Sequence, residues 1–309
     1  MVFTIVTLGD LVADIAVMVP ALPLEQNRYQ EAYSVSLEPG GAGNFLITGS
    51  RLGMHMIAIG ALGDDTFGHH VGAALLEEGV DMALVDYPAG STTTTVLVLN
   101  DDAGHTVMTG AYGSGQPLKF NPAWENRILL ADAVFAFGYS LREHRIQSAV
   151  LTALEYAHAA GRPVFFDPGP EFNLVDHDVR DRALSSANVI LLTEEEVAVT
   201  GATSPAELLC HSSIVVVKRG AGGSQIWGSE GTVDVAGFPV EIRDVAGAGD
   251  CFAAAFVYGY LSCWPIQRIA TFANATGAAK VKKRGTGRQV PTADEVRAVL
   301  FDHRSPYTF

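Results

Sequence analysis

Asp244-Val245-Ala246-Gly247-Ala248-Gly249-Asp250 runs straight into Cys251-Phe252-Ala253-Ala254-Ala255-Phe256-Val257. Two glycines and an alanine leave a turn of backbone with almost no side chains, followed at once by an apolar helix of small residues. Such a turn aims successive N–H groups forward, and the helix dipole adds partial positive charge at the same point. The group that suits this spot is an anion: a phosphate, or a phosphoryl in transfer. Asp250 adds a carboxylate at the helix start. An anion hole beside a base is the minimum apparatus for moving a phosphoryl group onto a hydroxyl.

A plainer account also exists. Gly-rich turns before helices are common, and an acid in a first turn is ordinary dipole complementation. The segment matches neither better-known nucleotide fingerprint. The Walker pattern needs Gly-Lys-Ser/Thr, and the dinucleotide pattern needs a glycine where Phe252 stands.

The 309 residues suffice for one large α/β domain, and 48% hydrophobic against 17% charged content describes a compact chain. The formal charge of −14 disfavours nucleic acid as a partner, since the only basic cluster is Lys280 to Arg288. An acidic protein handling nucleotides would recruit Mg²⁺ and a few local cations. Cys210, Cys251 and Cys263 have no metal-ligand spacing, so free thiols in a reducing cytoplasm are expected. The apolar start carries Asp10 and Asp14 without Lys or Arg, unlike a signal peptide. No apolar run is long enough to span a membrane, and no membrane partner is expected.

The elements that must position these residues alternate. Strands are expected at 2–8, 56–59, 131–137, 164–166, 189–192 and 214–218. Helices are expected at 44–52, 67–78, 145–160 and 193–200, then from Asp250 and from Pro265. Hairpin-like pieces surround Trp227 and Val233. Apolar strands alternating with helices predict a mainly parallel sheet covered on both faces, a three-layer α/β/α sandwich in a single domain over 1–309. Two stretches, about 15–37 and 92–110, break the alternation. The second reads as a hairpin, with Thr-Thr-Thr-Thr-Val-Leu-Val-Leu before a polar glycine turn. Together they predict a small β-sheet lid over the C-terminal ends of the main strands, where open α/β sheets bind ligands.

Five segments in order resemble the ribokinase-like, or PfkB, carbohydrate kinases over nearly the whole chain. Asp244–Asp250 resembles the family's C-terminal signature. Pro39-Gly40-Gly41-Ala42-Gly43-Asn44 resembles the N-terminal Gly-Gly signature. Gly60 to Gly68 resembles the Gly-Asp-Asp-x-Phe-Gly turn. Lys218-Arg219-Gly220-Ala221-Gly222-Gly223 resembles the nucleotide-side glycine loop. Asn274-Ala275 with Gly277-Ala278 resembles the late helix beside adenine.

The resemblance implies transfer of the γ-phosphoryl of Mg-ATP to a hydroxyl of a small sugar. It makes Asp250 the general base and the Gly247, Ala248, Gly249 and Asp250 backbone the anion hole. Asp14, Gly40, Gly41 and Asn44 would bind the sugar. Lys218, Gly220, Gly223 and Asn274 would line the nucleotide site, with Glu196 ordering Mg²⁺ through water. A monovalent-cation site, present in some relatives, stays open. So do the identity of the sugar and of the hydroxyl.

The sequence also departs from the family pattern. Val245 replaces the signature threonine, and Ala255 a glycine. Thr193-Glu194-Glu195-Glu196 stands for Asn-x-x-Glu and is equally a helix capping box. Phe166-Asp167-Pro168-Gly169-Pro170-Glu171 lacks the arginine that serves acidic sugars, which argues for a neutral acceptor. Phe135, Phe137 and Tyr139 could face the pocket or fill the core. A nucleoside kinase is the alternative, with Tyr33, Phe45 and Tyr112 as candidates for a base slot. A non-catalytic binding protein is a third reading. The lid edges and an apolar 92–99 face suggest a homodimer through the lid.

Overall fold

The computed structural model describes residues 2–307 and 309. Its main sheet begins with β1 (Thr4–Asp10), whose continuation β2 (Val12–Met18) and return strand β3 (Ser34–Gly40) leave for a second sheet. The chain re-enters through α1 (Ala42–Arg51), β4 (His55–Ala61), α2 (Thr66–Glu77) and β5 (Asp81–Asp86), and leaves again as β6 (Thr94–Asn100) and β7 (Thr106–Ala111). Then come α3 (Pro122–Leu130), β8 (Ala133–Phe137), α4 (Gln147–Ala159), β9 (Val164–Asp167), α5 (His177–Ser186), β10 (Val189–Thr193), α6 (Glu194–Val199) and β11 (Ile214–Lys218). The hairpin β12 (Ser224–Gly228) and β13 (Gly231–Val235) precedes α7 (Ala248–Leu261), α8 (Ile266–Val281) and α9 (Ala293–Asp302). Among these, β5, α3, α5 and α9 were not anticipated by the sequence pattern.

The main sheet has the order β13-β12-β11-β10-β9-β8-β1-β4-β5. Seven strands run parallel, and only the edge hairpin is antiparallel. Strand residues alternate between two apolar cores. Met56, Ala58, Val189 and Leu191 join the core under α1, α2, α7, α8 and α9. Ile57, Ile59, Ile190 and Leu192 join the core under α3 to α6. Both faces are therefore covered, which is why the strands read as continuous apolar runs.

The small sheet, β3-β2-β6-β7, springs directly from the end of β1, with only Leu11 between β1 and β2. Its two faces differ. Asp14, Ala16 and Met18 share the inner face with Glu38, Ser36 and Ser34 through direct β2–β3 pairing. The outer face carries Ile15, Val17, Leu37, Val35, Leu97, Leu99 and Val107 in register.

Arg51 fastens the helical layer beneath this junction. Its guanidinium forms two bonds to Glu78, at 2.9 and 2.6 Å, and donates to the carbonyls of Val290 and Arg288. Arg51→Met removes the fork while leaving Glu78 four-fifths buried and unpaired. We expect a stability loss of about 3 kcal/mol, read by urea denaturation; a loss within experimental error would show that the fork is dispensable.

Candidate active site

The site lies where α7 points at the C-terminal ends of the parallel strands. Gly247 caps the helix in the left-handed region, φ 77°, and a Cβ there would come within 3.0 Å of the Asn44 amide. Glycine is thus required both by its conformation and by close approach. The N–H of Ala248 donates to the Val245 carbonyl at 3.1 Å. The expectation that Ala248 supplies a free amide is therefore corrected: the turn uses it internally. Among the described residues, the N–H groups of Gly247, Gly249 and Asp250 have no partner.

Asn44 is not the helix cap expected from the sequence; Gly41 holds that place. Asn44 sits one turn further in, buried, and its amide spans two segments. Nδ2 donates to Asp250 Oδ2 at 2.9 Å, and Oδ1 accepts from the Gly287 N–H at 2.7 Å. Gly40 and Gly41 approach functional groups closely. A Cβ on Gly40 would fall 2.1 Å from Asp14 Oδ1, and one on Gly41 would fall 2.5 Å from the Tyr139 hydroxyl. Asp14, Gly40, Gly41, Asn44 and the α7 turn are thus one constellation.

Charge is concentrated here. Burial pushes the Asp250 carboxyl up to about 7; the Asn44 hydrogen bond opposes this, Asp167 adds to it and Lys218 opposes it. Burial also lifts Asp14 to about 6, against the nearby Thr286 hydroxyl. Lys218 ends β11 but is not solvated. It is buried, and its Nζ donates to Asp167 Oδ2 at 2.6 Å. Burial disfavours its charge, but Asp167 and Glu196 outweigh that and hold the ammonium pKa above its ordinary value. A Cβ on Gly249 would lie 3.4 Å from Lys218 Nζ, so the cation faces the same spot as the free amides.

On the nucleotide side, Gly220 (φ 53°) has open space where a side chain would be. Gly223 (φ 89°) lies hard against the 235–237 backbone. Asn274 spends its amide on the carbonyls of Val235 and Ala236, both at 3.2 Å, and so braces that same segment. Glu196 closes a capping box with Thr193, as the sequence suggested. Burial and then Asp167 raise its pKa. No cluster of three metal-ligating side chains exists among the described residues. Mg²⁺ does not need one, because it keeps several waters and usually takes one or two carboxylates plus phosphate oxygens. Glu196 and Asp167, two crowded carboxylates beside the anion hole, fit that demand.

Several other expectations are settled. Phe135, Phe137 and Phe45 are core, and Phe45 stacks on Phe135 at 4.0 Å, so Phe45 offers no base slot. Tyr139 stacks on Phe137 and turns its buried hydroxyl into the site, where burial and then Asp250 hold its pKa well above normal. The absence of a fixed cation near 166–171 is corrected. Arg142 pairs with Glu171 and lies over Tyr112, and Arg145 lies 3.7 Å from Asp10. Both guanidiniums are, however, neutralised by those acids. The sequence reading did not assign roles to Asp167 and the 286–287 turn, and left Tyr139 between pocket and core. Asp-Pro-Gly after an apolar strand and Gly-Thr-Gly inside the basic cluster were the available signals.

Residues 3–293 match the family model described as pfkB family carbohydrate kinase. The chain belongs to the pfkB family of carbohydrate kinases. An ATP-dependent ribose-1-phosphate kinase of Halopiger xanaduensis is 33% identical over 270 residues, covering 85% of this chain and 87% of that one. Probable fructokinase-7 of Arabidopsis thaliana is 27% identical, covering 97% and 93%. The structure of Arabidopsis thaliana ribokinase complexed with ribose and ATP superposes with TM-score 0.81 at 22% identity, covering 97% and 99%. That likeness establishes the ribokinase fold: the large sheet between helices, with a separate small sheet.

Removing the buried ammonium tests the electrostatics of this pfkB site. Asp250 titrates near 7 in the folded chain, against an ordinary 3.8. Its contribution to stability is complete at low pH and is lost as pH climbs through about 7. Lys218→Met removes a charge that lowers this pKa, so the loss continues to higher pH. We expect Lys218→Met to cost about 3–5 kcal/mol, with a larger deficit at pH 8 than at pH 6 in denaturant titrations. A pH-independent deficit would show that Lys218 does not hold the carboxylates ionised.

Proposed function

We propose that the chain transfers the γ-phosphoryl of Mg-ATP to a hydroxyl of a small sugar, with Asp250 as general base. The observation that carries this reading is the juxtaposition at α7: an acid with a pKa near 7 beside free amides and a buried lysine. A carboxylate poised near neutrality can accept a hydroxyl proton as the nucleophile attacks. A loose, metaphosphate-like transition state needs positioning and charge stabilisation above all. The free N–H groups of Gly247, Gly249 and Asp250, with Lys218, supply that stabilisation. Asn44 fixes the orientation of Asp250.

Mg²⁺, bound with ATP, would neutralise charge on the phosphate oxygens; Glu196, with Asp167, would order it. The Gly220 loop would flank the phosphates, and the segment braced by Asn274 would border the adenine. At the acceptor end, Asp14 can accept two sugar hydroxyls while Gly40 and Gly41 let the backbone come close. These groups suit the uncharged polyol part of a sugar. The small sheet would act as a lid that closes over the acceptor and excludes water, preventing idle hydrolysis of ATP. A nucleoside would need an aromatic slot, and Tyr33, exposed where it lines the cleft under the lid, is a candidate for it.

Asp250→Asn is expected to lower kcat by about 10²–10⁴-fold with ATP affinity little changed. In the parent enzyme kcat/KM should rise from pH 5.5 and level above about 7 as Asp250 ionises. Near-normal kcat in the variant, measured by coupled ADP release across pentoses, hexoses and nucleosides, would remove Asp250 from the base role.

The outer face of the lid further supports a homodimer. Val35 and Val107 are 67% and 49% exposed in a band with Val17 and Leu99. Apolar bands of this kind mark interaction surfaces. Sedimentation should give a dimer that Val35→Asp with Val107→Asp converts to monomer; a monomeric parent chain would refute the lid interface.

A further inference from the structure

Lys280, in the last turn of α8, is fully buried. A lysine is seldom enclosed to this degree without an acid against it. Lys218 has Asp167 at 2.6 Å. Lys280 has no such partner: among the described residues its Nζ makes one hydrogen bond, to the Lys283 carbonyl at 3.3 Å. Burial pulls the ammonium pKa below the ordinary lysine value, while Asp244, then Cys251 and more weakly Asp250 act to hold it up. These neighbours set the ammonium beside the loop that enters α7, the helix that carries the anion turn.

Asp244 is the buried acid of this corner. Its Oδ1 accepts the Ala246 N–H at 2.9 Å and its Oδ2 the Gly285 N–H at 2.8 Å. It thereby ties the loop entering α7 to the loop leaving α8. The second loop continues to Gly287, whose N–H holds Asn44, and Asn44 holds Asp250. A buried carboxylate whose hydrogen-bond partners are all neutral amides needs positive charge nearby to stay ionised. Anionic phosphates arriving at α7 would add to the repulsion. The corner therefore calls for one fixed positive charge.

A bound monovalent cation could supply that charge, but the oxygens it would need are already engaged. The Val281 carbonyl accepts the N–H groups of Arg243 and Asp244, the Lys280 carbonyl that of Lys283, and the Val245 carbonyl that of Ala248. Both Asp244 oxygens are taken by amides, and the Lys283 carbonyl by the ammonium itself. The donor set suits an N–H-bearing cation held within the chain better than an exchangeable ion.

We propose that the Lys280 ammonium is the built-in cation of this corner, so that the protein works without a bound monovalent cation. Lys280 is then a positioning residue. It touches no substrate and acts through Asp244 and the two loops on Asn44 and Asp250. Its catalytic consequence rests on the kinase reading; its structural consequence does not.

The test compares the parent protein, Lys280→Ala and Lys280→Met in potassium, ammonium and tetramethylammonium chloride at equal ionic strength, reading ADP release and the midpoint of urea denaturation. The parent should give the same kcat and the same midpoint in all three salts. Lys280→Ala leaves room for a small cation. Its kcat in tetramethylammonium should fall by about 10–100-fold, with recovery in ammonium or potassium, and its midpoint should rise in those two salts alone. Lys280→Met, which fills the space with an apolar chain, should show the loss without the recovery. A parent that requires potassium or ammonium, or is specifically stabilised by either, overturns the proposal. So does a folded Lys280→Ala with near-parent kcat, a loss that no small cation recovers, or equal recovery in Lys280→Met. If neither variant folds, the parent decides alone: indifference to the salt supports the proposal and dependence overturns it. If the parent phosphorylates no acceptor in any salt, the kinase reading fails and the midpoints judge Lys280: stabilisation of Lys280→Ala by ammonium or potassium alone supports the built-in cation, and equal midpoints in the three salts overturn it.

Discussion

One carboxamide holds three distant stretches of chain in working order. Asn44 presents its Nδ2 to Asp250 and its Oδ1 to the Gly287 N–H, joining the first helix, the helix that bears Asp250, and the turn that follows α8. No carboxylate or hydroxyl could donate and accept at these two points with the same planar geometry. Because Asn44 is buried, neither bond competes with bulk water. The glycines around it follow from this constraint. Gly247 stands 3.0 Å from the amide at its would-be Cβ, and a Cβ on Gly287 would strike Glu38 and Pro39. Both glycines also hold positive φ, 77° and 59°, which disfavours a side chain in its own right.

The bridge operates in a field that the protein does not balance by itself. Asp167, Glu196 and Asp250 converge on one cation, Lys218, while Asp14 faces Asp250, and burial raises the pKa of Asp14, Glu196 and Asp250. A site of this kind is uncomfortable without its cargo. The proposed metal-bound nucleotide would bring cationic charge where the carboxylates repel and anionic charge where α7 and Lys218 lie. This also explains why the acids cluster while the rest of the charge is spread over the surface.

Much of this was readable from residue order. The parallel sheet followed from apolar runs between helices, since strands covered on both faces cannot show polar alternation, and Val189 to Leu192 is such a run. The small sheet announced itself by its four consecutive threonines and polar turn. The α7 turn stood out as Gly-Ala-Gly and an acid ahead of an apolar helix, a common pattern that gained meaning from the four other segments in order. What stayed hidden was partnership. Nothing in the sequence says that Ala248 gives its amide to Val245, that Asn274 spends its side chain on two carbonyls, or that Lys218 lies buried against Asp167. Arg142 and Arg145 are invisible as neighbours of Glu171 and Asp10 until the strand order brings β8 beside β1.

The strand order also couples the two sheets mechanically. β1 runs into β2 through a single residue, and Asp10, the last residue of β1, accepts the hydroxyl of Thr94, the first residue of β6. Thr94 Oγ1 in turn accepts the Gly113 N–H just beyond β7. The root of the small sheet is therefore pinned at a buried acid, whose pKa burial lifts to about 7. Farther out, the sheet has only its own ladder and the loops across the cleft to hold it. Asp14 stands near that pinned root, whereas Ser34 pairs with Met18 at the far end of β2.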